Sequence, residues 1–134
     1  MKLRPLFLLA ALLCSASAHD TQSAGNVQVT MFTDADDALR VGAATRLTFS
    51  FLHAGQALSA CRCRVLLYTG TPSARVAPLK DLYLGNLGAG QVSTLLDGLP
   101  AGAYTLVLDG RPAQVGDFDA FRMRYTLRAD PPSP

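Results

Sequence analysis

The chain has 134 residues, 49% of them hydrophobic and 16% charged, with no tryptophan and a formal net charge of +2. That length accommodates one compact domain with a single core and excludes two. A charge so near zero provides no chain-wide field for nucleic acid or an anionic membrane, so neither is an expected partner.

Residues 1–18 have the three-part pattern of a secretory signal: Lys2 and Arg4, an apolar run over 6–13, then Ser15-Ala16-Ser17-Ala18. The apolar run is well short of the roughly 20 residues that span a bilayer, so no membrane span is expected. A lipid anchor on Cys14 competes with this reading, but Leu13 stands where such signals carry a small residue. Cleavage after Ala18 leaves His19 as the mature N-terminus, in the periplasm or outside the cell. Of the twelve basic residues, Lys2 and Arg4 leave with this segment, and ten remain against ten aspartates and no glutamate. Cys14 leaves as well, so Cys61 and Cys63 alone enter the oxidising compartment.

Residues 19–25 (HDTQSAG) are polar and without period, which predicts a flexible N-terminal arm. Val27, Val29 and Met31 alternate with polar residues as a first strand, ended by Asp34, Asp36 and Asp37. That acidic run lacks the glycine and distal glutamate of a calcium loop and reads as a solvated turn. Arg46-Leu47-Thr48-Phe49-Ser50-Phe51 predicts a second strand with one buried face, and His53-Ala54-Gly55-Gln56 turns it toward residues 58–68 (LSACRCRVLLY). Simple hairpin logic makes that cysteine strand its antiparallel neighbour. Residues 80–87 and 91–97 predict two short strands. After the breakers of 98–102 comes the apolar strand 103–108, closed by Asp109-Gly110-Arg111-Pro112. Finally Phe121, Met123, Tyr125 and Leu127 alternate with Arg122, Arg124, Thr126 and Arg128, and residues 130–134 predict a disordered proline-rich tail.

Seven short strands without a helical period predict an all-β fold, a single immunoglobulin-like antiparallel β-sandwich over 26–129. Tyr104, just after a Pro/Gly corner, fits a tyrosine corner whose hydroxyl bonds back to the backbone. The absence of tryptophan separates the chain from antibody domains.

Two pieces resemble small extracytoplasmic sandwich proteins of the CopC and YtkA-like kind. Arg46-Leu47-Thr48-Phe49 is similar to their early short strand, and Leu99-Pro100-Ala101-Gly102-Ala103-Tyr104-Thr105-Leu106 to their penultimate strand with its leading turn. The resemblance implies a sandwich fold and an extracytoplasmic location. It also hints at copper, because CopC-type proteins offer a mature N-terminal histidine, here His19, to Cu(II). Those proteins continue with an aspartate and a histidine that complete the site. This chain reads Asp109-Gly110-Arg111-Pro112 and has no histidine beyond His53.

Cys61-Arg62-Cys63 carries the most chemistry. In a regular strand alternate Cα atoms lie near the ~7 Å limit for a disulfide, so a local bridge requires an irregular backbone at Arg62. Three readings stand: a local disulfide, unpaired structural thiols, and soft-metal ligation by Cys61, Cys63 and His53 as Cu(I) or zinc ligands. His53 alone reads as a turn residue and His19 as a processed terminus. Met31 and Met123 read as core. Asp117 and Asp119 around Phe118 read as a solvated loop, and no nucleophile-elbow serine or phosphate loop is present. Arg62, Arg64, Arg122, Arg124 and Arg128 form a basic stripe if their strands are neighbours.

The expected function is a secreted or periplasmic non-enzymatic binding or accessory module for an unknown extracytoplasmic protein or small ligand. The alternative is an extracytoplasmic copper-binding protein using Cys61 and Cys63 with a histidine. A redox-active dithiol is a third reading.

Overall fold

The computed structural model describes residues 19–34 and 38–131. The signal-like segment 1–18, Asp36 and Asp37, and residues 132–134 of the expected tail lie outside the described residues. The strands are β1 (His19–Ala24), β2 (Val27–Thr33), β3 (Leu39–Arg40), β4 (Thr45–His53), β5 (Gln56–Ala57), β6 (Arg62–Thr69), β7 (Lys80–Tyr83), β8 (Gln91–Leu96), β9 (Gly102–Arg111) and β10 (Phe121–Asp130). There is no helix among the described residues.

Two sheets result. In the first, β1, β2 and β4 lie side by side, and both β5 and β8 pair with the far edge of β4. The second runs β3-β10-β9-β6-β7. Every strand pair is antiparallel except β10 with β3.

Period-2 alternation sets which side chains enter the core between the sheets. The first sheet supplies Val27, Val29, Met31, Leu47, Phe49 and Phe51. The second supplies Cys63, Val65, Leu67, Leu106, Leu108, Met123, Tyr125 and Leu127. Met31 and Met123 are therefore packing residues. Tyr125 on β10 is 0% exposed, and its hydroxyl donates to the carbonyl of Val29 on β2 at 2.7 Å, which ties the sheets together through the core. Its ring meets Phe49 edge-on with centroids 6.4 Å apart. At the corner before β9 the Tyr104 hydroxyl donates to the Pro100 carbonyl at 2.6 Å.

Four expectations need correction. Residues 19–25 are not a flexible arm: His19–Ala24 pair with β2 along their whole length, and the Thr21 and Thr30 hydroxyls meet at 2.7 Å. An edge strand held by backbone bonds needs no hydrophobic period. The cysteine strand is not the neighbour of β4. Ala54 and Gly55, both at positive φ, make a two-residue turn into β5, after which the chain crosses to the other sheet. Asp130 is not tail but the last residue of β10, in register with Arg40. Among the described residues the strands number ten rather than seven, because β1, β3 and β5 are pairing segments too short or too polar to show a periodic signal.

Asp34, the described member of the acidic run, works structurally. It accepts from the Arg46 amide at 3.0 Å and from Arg40 at 2.9 Å. The Arg46 amide, then the Arg40 guanidinium, hold its carboxyl below the usual aspartate range.

Candidate functional site

The site begins where the chain crosses between sheets. Residues 58–61 are irregular, and β6 starts only at Arg62, so Cys61 stands outside the ladder and Cys63 inside it. This contracts the backbone: the two Cα atoms are 5.5 Å apart and the sulfurs lie at disulfide-bonding distance, both side chains buried. With its two neighbours turned inward, Arg62 faces solvent.

Beneath it runs a cross-strand row, Cys63 on β6, Gly110 on β9 and Phe121 on β10. Phe121 lays its ring over Gly110, and a Cβ at that position would overlap the ring. The glycine thus lets an aromatic side chain close the core under the outer face at this end of the sheet.

On the outer face, β9 lies between the two arginine strands instead of leaving them adjacent. Arg64, Asp109 and Arg122 form one row, and Arg62 stands directly opposite Arg111 in the next. Arg64 is held by Asp81, with Nε and Nη2 each 2.9 Å from Oδ1, and Arg122 reaches Asp109 Oδ2 at 3.3 Å. Arg128 pairs with Asp130 at 3.3 Å. Arg62, Arg111 and Arg124 have no ion pair among the described residues. Arg62, Arg64, Tyr83, Asp109 and Arg111 line a cleft of about 380 Å³. Tyr83, from the edge strand β7 opposite Arg64, is 61% exposed. Two guanidiniums outside any ion pair among the described residues, a fixed third, an open aromatic face and one carboxylate therefore converge there.

The metal candidates are spread out. His53 ends β4, half-buried, with its ring 6.1 Å from Phe118. It lines a cleft of about 390 Å³ with Asp117, Phe118 and Asp119, and a second that extends along residues 56–60 and stops one residue short of Cys61. His19 begins β1 opposite Phe32, whereas His53 is in register with Val27. Those rows are five positions apart along β2, roughly 16 Å. Among the described residues no group of three or more His, Cys, Asp and Glu side chains is placed to hold a metal ion. A Cys61–Cys63 bridge would withdraw both thiolates from any soft metal.

Comparison of the chain with protein-family models, curated proteins and solved structures finds no match.

Sequence reading reached Arg62 and Arg64 but missed Arg111 and Tyr83. Arg111 sits in Asp109-Gly110-Arg111-Pro112, which reads as a turn. The signal that places it is the parity of Ala103, Thr105, Asp109 and Arg111, which continues through the glycine although Val107 on the same parity is buried.

Proposed function

We propose that the chain is an exported, non-enzymatic, immunoglobulin-like β-sandwich module that binds an anionic ligand on the outer face of its second sheet. The observation that carries this reading is the Arg62–Arg111 pair, directly opposed across β6 and β9 with neither guanidinium in an ion pair among the described residues. Like charges facing each other across strands destabilise a sheet, so a fold that keeps them beside a cleft gains from a ligand that neutralises both. The mature chain is balanced overall, so the attraction is local to this cleft. Export is supported by the signal pattern of residues 1–18 and by two cysteines at bridging distance, a pairing that persists in oxidising compartments. The tyrosine corner at Tyr104 supports the immunoglobulin-like description.

Amide chemical shifts of the mature protein, followed by NMR while inorganic phosphate is added at low salt, test the binding reading. Perturbations at Arg62, Arg64, Asp109 and Arg111 are expected, with their loss in Arg62→Ser/Arg111→Ser. A titration that moves none of these signals refutes it. Intact mass of protein recovered from the envelope fraction tests export, with loss of residues 1–18 as the expected result.

A further inference from the structure

The remainder of the cleft restricts what kind of anion fits, an inference that rests on the anion-binding reading above. We infer that the ligand is a single hydroxylated ring bearing one oxyanion, the chemistry shared by sugar acids and sugar phosphates. Arg62 and Arg111 are free to form the forked, paired hydrogen bonds that guanidinium gives to a carboxylate or phosphate. Arg64 is already engaged by Asp81 on β7 and serves as a fixed wall.

Two groups have no use for a bare anion. Tyr83 presents an exposed ring at the cleft edge, and the electron-rich face of an aromatic ring suits the weakly positive C–H face of a sugar. Asp109, in the strand between the arginines, binds Arg122 through Oδ2, which leaves Oδ1 to accept from a ligand hydroxyl. A carboxylate within the cleft repels a compact, highly charged anion and favours one whose charge is confined to one end. The volume of about 380 Å³ is that of a small-molecule site and suits one ring.

Isothermal titration of the mature protein with glucuronate, glucose 6-phosphate, glucose and inorganic phosphate tests this. At least one of the two acidic sugars is expected to bind ten-fold or more tightly than either glucose or inorganic phosphate, and the better of the two identifies the oxyanion as carboxylate or phosphate. Tyr83→Ala is expected to lower acidic-sugar affinity about ten-fold and leave inorganic phosphate unchanged. Asp109→Asn is expected to narrow the gap between sugar and bare anion. Arg62→Lys, which keeps the charge but not the fork, is expected to weaken both ligands and guards against misfolding in larger substitutions. If inorganic phosphate or an oligo-aspartate peptide binds as tightly as the sugars and Tyr83→Ala changes nothing, the ring inference is overturned while the anion-binding reading survives. If no anion binds, both fall.

Discussion

Replacing Arg111 with glutamate should make the protein more stable and abolish its affinity for anions. Arg62 and Arg111 are directly opposite in the β6–β9 ladder, where Cβ atoms are about 5 Å apart and a charged pair contributes about 0.2–1 kcal/mol, unfavourable for like signs and favourable for opposite ones. Arg111→Glu removes the repulsion and installs the attraction, a change of about 0.5–2 kcal/mol before screening. Both side chains are exposed, so about 1 kcal/mol is expected at low ionic strength. Raising salt toward 1 M, where the screening length falls to about 3 Å, should remove most of the gain. With a urea m-value of about 1–2 kcal/mol/M, the midpoint should rise by roughly 0.5–1 M. Arg62→Glu should act alike, and Arg62→Glu/Arg111→Glu should restore the repulsion, so the double variant falls short of the summed single effects. Single variants that lose stability, or a gain that salt leaves untouched, would mean that the two guanidiniums do not confront each other.

Three further outcomes follow from the core. Gly110→Ala should destabilise by about 1–3 kcal/mol in urea unfolding, because the new methyl displaces the Phe121 ring from a packed site; a change under about 0.5 kcal/mol would show that the ring moves freely. Burial, then the charge of Asp20, raises the Tyr125 phenol above its usual range, so its contribution to stability is full below the unfolded-state pKa of about 10 and is lost as pH climbs beyond it. Tyrosinate absorbance should accordingly show one of the four tyrosines ionising only as near-UV circular dichroism collapses, with Tyr125→Phe removing that late step. Cys61→Ser/Cys63→Ser should cost only about 1.5 kcal/mol, since loop closure over three residues removes little unfolded-chain entropy, but should weaken phosphate binding by freeing Arg62; unchanged binding would mean that Arg62 is positioned without the pair.

The elements legible in the sequence are those whose pattern follows from burial. β10 alternates without a fault and β4 carries leucine and two phenylalanines on one parity, because each has one face on the core. β1 has no such pattern, since its hold on the sheet comes from backbone bonds to β2 and a threonine pair. The placement of β6 fails for a different reason. A hairpin turn after His53 is written in Ala54-Gly55, but its partner strand is two residues long, and nothing local says that the chain then changes sheet. The site divides in the same way. Outward arginines on β6 and β10 follow from parity, whereas the pairing of Arg62 with Arg111 and the approach of Tyr83 depend on register between distant segments.

The edge of β4 is completed by two pieces laid end to end. β5 covers Leu52 and His53, β8 covers the positions from Thr45 to Ser50, and at the joint Phe51 donates to the Gly90 carbonyl and accepts from the Leu58 amide. Residues 58–90, with β6 and β7, therefore leave one sheet and return to it through a single joint while belonging to the other. β5 closes its half locally, but the rest of the β4 edge stays open until β8 arrives, and β6 keeps one unpaired side until β9 docks, 49 positions beyond Arg62 at Arg111. Contacts so distant along the chain are slow to close. During synthesis the cleft is thus among the last features to form, and a nascent chain halted before β9 carries an open strand edge, the kind of surface on which aggregation starts.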